Sequence, residues 1–354
     1  MRYKDIVENS ILSNALSNEE QDKIISPLNN YINARLPKKL YRYRTCTERH
    51  LDAFFKDELW FSNGNAMNDD FDARLYYDRE KIRNWMNNFL IENKGQDLLN
   101  DILSVKMIPD EIEDILPGAN ASFYKIKSAP MELITKTYRE LMEWASNNLE
   151  KELENTTEGI RSLVKFACLA ERIDSDLMWG HYSENASGFA IEYIFDEMSF
   201  AAPKRNGENV TCSLFPMVYQ QNQIDATEYA KWSFQRQILS RVSDQQLRGA
   251  VCLAFDKLNP CPDASMSIKV ALNKSLEWKP EKEWRVFIMN DIQSMWEPYT
   301  CVTRKPSALY LGRKISAINQ KILLDMAFEK KIPVFKMNIN AKSAKYRLIK
   351  NRII

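Results

Sequence analysis

Glycine is scarce in this chain, with nine in 354 residues. That scarcity excludes a glycine-rich phosphate loop, and neither GxGxxG nor GxxxxGK followed by Ser or Thr occurs. Histidine is scarcer still. His50 and His181 are the only two, too few for a His-rich metal centre, and no metal is expected. The six cysteines form no CxxC pair and several lie in apolar runs, as the reduced thiols of a cytoplasmic protein do. No apolar run reaches membrane-spanning length and no signal pattern opens the chain, so a cytoplasmic location without membrane contact is expected. A net charge of +1 supplies no global attraction to nucleic acid.

The residues that are present describe a globular protein. Hydrophobic residues make up 45% and charged residues 27%, and the length allows one large domain or two ordinary ones. Residues 1–37 read as a helical segment, with Ser17 and Glu20 as a capping box and Pro37 as the stop. Leu40–Arg44 alternates as a strand, with Arg42 and Arg44 on one face and two tyrosines on the other. Two arginines on one strand face can grip an anion such as a pyrophosphate. Thr47 caps a helix bearing Leu51, Phe54 and Phe55, and Leu59–Ser62 is a strand. It runs into a polar loop holding Asn68, Asp69 and Asp72, which could fix substrate hydroxyls.

Residues 79–162 read as a helical insertion, acidic in two stretches, that covers a site or meets a partner protein. Strands follow at 163–169, 188–195 and 210–220, with a short helix between the first two in which Trp179, His181 and Tyr182 cluster. Helices are expected over 225–258 and 265–276. Then comes Lys274–Met289, in which Pro280 stops the helix and Trp284, Val286 and Ile288 alternate with Glu283 and Arg285. An acid and a base at the start of a buried strand are costly unless paired or used. Glu281 falls in a solvated turn on this reading. A strand at 308–312, a helix at 317–330, a strand at 334–337 and a basic tail complete the chain. Strands without regular βα alternation predict an α+β fold, a mixed or antiparallel sheet flanked by helices, in one domain over 38–354.

Several blocks in order resemble one family: Leu40–Tyr43, Phe61-Ser62 with Met67–Asp72, Leu177–Tyr182 with Gly188–Tyr193, Trp278–Arg285 and Leu311-Gly312. They look like the bacterial domain of unknown function 2971, over about 38–350. Two positions depart from its pattern, Asp70 and Ala170. The layout is also similar to that of ADP-ribosyltransferases, which implies NAD as substrate and a nucleic-acid or protein target, as in a toxin or phage-defence effector. On that analogy Arg42 or Arg44 grips the NAD phosphates, Ser62 supports the ribose, Tyr182 stacks on nicotinamide, and Glu283 steadies the oxocarbenium-like transition state.

Two rival classes stand beside it. Asp263 with Glu277 and Lys279 loosely fits a metal-dependent nuclease motif, although Pro280 interrupts the supporting strand. A non-catalytic binding or regulatory protein would use Glu283 and Arg285 only as an ion pair. Serine or cysteine hydrolysis lacks a nucleophile elbow.

Overall fold

The structure is a computed structural model that describes residues 2–13, 16–67, 69, 71–91, 101, 131–240, 245–289, 297–344 and 347–354. Its strands are β1 (Lys39–Arg44), β2 (Glu58–Asn63), β3 (Leu75–Tyr76), β4 (Lys165–Ala170), β5 (Phe189–Ile194), β6 (Ser199–Pro203), β7 (Asn209–Pro216), β8 (Val218–Gln220), β9 (Ile224–Asp225), β10 (Asn273–Ser275), β11 (Glu283–Met289), β12 (Tyr299–Thr303), β13 (Ala308–Leu311), β14 (Val334–Ile339) and β15 (Leu348–Arg352). Its helices are α1 (Tyr3–Asn9), α2 (Asn18–Asn33), α3 (Glu48–Phe55), α4 (Arg79–Ile91), α5 (Met131–Asn147), α6 (Leu149–Ser162), α7 (Asp176–Tyr182), α8 (Thr227–Ser240), α9 (Gln245–Leu258), α10 (Met266–Leu272) and α11 (Ala317–Glu329). This is an α+β protein.

Eleven strands form one mixed, mostly antiparallel sheet that both closes and forks. Starting from β4, the pairings β4–β11, β11–β7 and β7–β6 run one way, and β4–β2 and β2–β12 run the other. A bridge between Lys204 and Val302 joins the two ends, so six strands make a ring. Register places Leu59, Phe61, Ala167, Leu169, Leu214, Val286, Ile288 and Val302 on its inner side, and all are buried. Closure removes the exposed sheet edge that such apolar strands would otherwise present.

The fork lies on β4. Its N-terminal half pairs with β2 through Ser62 and Asn63, while its C-terminal end pairs with β1 only at Tyr41–Ala170. The strands β5, β13, β14 and β15 then continue outward from β1. A strand cannot pair with two partners on one edge at the same height, so β1 and β2 diverge and leave a gap. The gap is where the site lies.

Helices α4, α5, α6, α8 and α9 share a second apolar core, built on Ile82, Met86, Met142, Leu153, Phe234 and Phe255. The described part of the expected insertion is thus helical and packs with the later helices, and residues 92–100 and 102–130 lie outside the described residues. The first helices are not detached: Ile32 is fully buried in the main core, and the Ser265 hydroxyl donates to the Ser10 carbonyl. The capping box forms as the sequence implies, the Glu20 N–H donating to Ser17 Oγ and the Ser17 N–H to the Glu20 carboxylate.

Several boundaries move. The strand expected from 163 starts at Lys165, because Leu163 ends α6 and is exposed. The strand expected over 210–220 breaks at Met217, whose N–H is taken by the Glu283 carbonyl. Pro280 does not stop the preceding helix. That helix ends at Leu272, and Pro280 sits inside a 3-10 turn, Leu276–Glu281. β6, β12 and β15 carry too few apolar residues in alternation to announce themselves.

Gly188 holds β5 against the end of β1. A Cβ there would lie 2.1 Å from the Arg44 carbonyl oxygen, a contact no side chain tolerates. Gly188→Ala should therefore lower stability by about 1–3 kcal/mol and displace Arg44, which urea unfolding together with ligand titration would detect.

Candidate functional site

A cavity of about 280 Å³ fills the gap in the forked sheet. Arg42 and Arg44 have opposite parity to Tyr41 and Tyr43, and all four line it. Side chains from both faces of the sheet can reach one cavity only because the strands part here. From β2, β4 and β11 come Trp60, Ser62, Phe166, Cys168 and Glu283, and from outside the sheet come Asp72, Tyr182, Lys274 and Glu281.

One wall is a chain of buried charges. Arg285 is fully buried, and it donates through Nε to Glu283 (2.7 Å), through Nη2 to Asp72 (2.5 Å) and through Nη1 to the Ala271 carbonyl (2.5 Å). Lys274 Nζ donates to Glu283 (2.8 Å) and Glu281 (2.6 Å), and the Tyr182 hydroxyl donates to Glu281 (2.6 Å). Three carboxylates thus alternate with two cations. Burial alone would raise the Glu283 carboxyl, but Arg285 and Lys274 outweigh it and hold Glu283 at about 2. For Glu281 burial wins over Lys274 and Tyr182, and its carboxyl sits above the ordinary range. Burial, reinforced by Glu281, pushes the Tyr182 phenol up, so it remains a donor.

The backbone at Lys282 makes this chain possible. Its φ of +48° turns one exposed residue outward between two buried glutamates, so Glu281 and Glu283 both reach Lys274. A β-strand continued through 282 would also put 281 and 283 on one face but could not enter from the 3-10 turn. Tyr182 is held similarly. Glu184, Asn185 and Ala186 all have positive φ, and the turn is tied by Ala186 N–H to the Trp179 carbonyl (2.9 Å) and Gly188 N–H to the Ser183 carbonyl (2.9 Å).

The opposite wall is cationic and lacks carboxylate partners among the described residues. Arg42 Nε and Nη1 are buried with no hydrogen-bond partner among those residues. Arg44 donates to the Tyr43 carbonyl (3.2 Å). Burial lowers both guanidinium pKa values, and Arg42 adds to the effect at Arg44. Arg49 stands beside them, 5.5 Å from the rings of Trp60 and Tyr299. Burial and the neighbouring Arg44 lower His50 to about 4, so its ring is neutral and bonds Thr45 (3.0 Å). Asp72 also lines this space, and its Oδ1 is buried without a partner among the described residues. The cavity lining thus combines buried guanidinium donors and a buried carboxylate oxygen that lack partners among the described residues, groups able to bond an anion and a hydroxyl respectively.

The fold brings together Arg42, Arg44, Ser62, Asp72, Tyr182 and Glu283 in this one cavity. Others fall elsewhere. Trp179 is fully buried, donating to the Ile173 carbonyl (2.7 Å) and edge-on to Tyr43, so it is packing and not a cavity wall. His181 is exposed, 6.4 Å from the Trp278 ring. Arg285 lies behind the cavity with its donors engaged by protein, so it positions Glu283 and is not free to bind substrate. Asp69 lines a separate groove. Asn68 lies outside the described residues. Glu281, which the sequence places in a solvated turn, is a buried member of the site. Lys274 escapes sequence reasoning, because a lysine nine residues before Glu283 gives no strand or helix periodicity to follow.

The nuclease constellation does not gather. Asp263 accepts from Lys269 Nζ (2.6 Å) and Ser265 Oγ (2.6 Å), and it lines a different cleft from Glu277. Among the described residues no group of three His, Cys, Asp or Glu could hold a metal ion.

Residues 178–286 match the model of a family described as protein of unknown function (DUF2971). The matched segment runs from α7 to β11 and carries Tyr182, Lys274, Glu281 and Glu283, whereas the blocks at 40–43 and 61–72 lie before it. No curated protein and no solved structure matches the chain. No helix among the described residues is long and apolar enough to cross a membrane.

Two outcomes follow from this geometry. Arg285→Met would leave Glu283 and Asp72 buried without their shared cation, at a cost of about 3–5 kcal/mol in chemical unfolding. His50 binds its proton at 6.5 when unfolded and only at about 4 when folded, so the unfolded state holds more protons between those values. Stability from this group is full above pH 6.5 and is lost as pH falls towards 4. His50→Gln should flatten that slope in a series of melts.

Proposed function

We propose that the cavity binds a phosphate-bearing nucleotide, and that the nucleotide is NAD, consumed by an ADP-ribosyltransferase-like enzyme. The observation that carries the proposal is the pair of buried nitrogens on Arg42 that have no partner among the described residues. A protein rarely buries guanidinium donors without an acceptor unless a ligand supplies one. Arg44 and Arg49 in the same lining suit a diphosphate, and Asp72, which also lines the cavity, suits a ribose hydroxyl.

The chemistry asked of the acidic wall is modest. The glycosidic bond between ribose and nicotinamide breaks, its electron pair leaves with nicotinamide, and a positive charge develops on the anomeric carbon. A nucleophile on the acceptor then bonds to that carbon and releases its proton to solvent. Glu283, held ionised down to about pH 2, would stabilise the positive charge, and Tyr182 would pack against the departing ring. Burial of Glu283, which is 5% exposed, strengthens that interaction. The acceptor is a protein or nucleic acid, as a toxin or phage-defence effector would require.

A second reading has its own observation. Both carboxylate oxygens of Glu283 are engaged, one by Arg285 and one by Lys274. Under it the same cavity senses the nucleotide and no bond is broken. Calorimetric titration of the full chain with NAD, alongside an assay for released nicotinamide, separates the two. The transferase reading predicts binding and release, with release abolished and binding retained in Glu283→Gln. Arg42→Met should weaken binding about tenfold to a hundredfold. Binding without release supports the sensor, and no binding of NAD overturns the nucleotide assignment.

A further inference from the structure

A second groove of about 770 Å³ lies on the other side of Lys274. Lys274, paired with Glu281 and Glu283 of the cavity wall, lines both hollows and so joins the groove to the cavity. The groove presents open aromatic faces, Phe71 at 70% exposure and Tyr76 at 48%, beside Trp278. Its rim carries Asp69, Asp225 and Glu277, none in an ion pair with a cation among the described residues. Its floor holds Gln220 and Asn273, 9% and 7% exposed, whose side-chain oxygens have no partner among those residues.

These features select one ligand chemistry. Among the described residues the two amide oxygens lack donors and the three carboxylates lack a cation, although Asp225 accepts from Thr227 and Asp69 from the Phe71 N–H, and open ring faces attract positive charge. A planar guanidinium supplies all three at once, with N–H donors in its plane and a flat face for the rings. A nucleic-acid backbone would meet three carboxylates and be repelled. The groove also runs on into an adjoining cleft of about 580 Å³, which shares Gln220, Asn222, Gln223, Asp225 and Asn273 with it, giving room for chain on either side of the bound residue.

We propose that this groove binds an arginine side chain presented by a polypeptide. Its standing as the acceptor side rests on the transferase reading, while the binding itself does not. The test is anisotropy of a labelled Gly-Gly-Arg-Gly-Gly peptide with the full chain in the absence of NAD. The arginine peptide should bind about tenfold tighter than its citrulline counterpart, and added salt should weaken it. The exposed substitution Glu277→Gln should weaken peptide binding and leave NAD affinity unchanged. Equal binding of arginine and citrulline peptides, preference for an oligothymidine probe, or indifference to Glu277→Gln would overturn the assignment. NAD titration of the same samples keeps failure of this groove distinct from failure of the cavity.

Discussion

Everything at the centre of this molecule depends on one buried cation, Arg285. Its guanidinium joins β11 to the loop carrying Asp72, to the end of α10 at Ala271, and to Glu283 on its own strand. It lies 4.2 Å from the Phe166 ring of β4, so four elements meet on it. Such a cation is expensive to desolvate and gives little net stability, but once three acceptors surround it any other arrangement leaves a buried charge bare. It specifies where Asp72 and Glu283 stand, and those two mark one wall of the cavity.

The other wall obeys the opposite rule. Arg285 has an acceptor for each of its three nitrogens, whereas Arg42 has two buried nitrogens with none among the described residues. The same sheet holds both because β4 cannot serve β1 and β2 over its full length. The fork converts a shortage of pairing into a hollow, and the hollow admits side chains of either parity. A charge satisfied by protein and a charge without an acceptor among the described residues face each other across one small cavity, and that contrast is what the proposed binding rests on.

Much of this is legible in the residues. Alternation at Trp284-Arg285-Val286 gives the buried strand and its faces, and the paired arginines at 42 and 44 are visible as a motif. What escapes is set by contacts distant in sequence. Glu281 reads as solvated because it follows Pro280 in a polar run, and only Lys274, Tyr182 and the positive φ at Lys282 bury it. Trp179 and His181 read as site residues because they neighbour Tyr182, but a seven-residue helix points neighbours in different directions. The closing of the ring through Lys204 and Val302 leaves no local trace at all.

The most direct test of the account is the melting temperature of Arg42→Leu against wild type, with and without inorganic pyrophosphate. If Arg42 is kept unpaired for a ligand, the substitution should be neutral or stabilising in the absence of pyrophosphate, since a buried guanidinium without acceptors costs free energy. Wild type should melt higher as pyrophosphate is added, and the variant should not. A variant that melts well below wild type without ligand, together with a wild-type midpoint that pyrophosphate does not move, would show that Arg42 is structural and contradict the account.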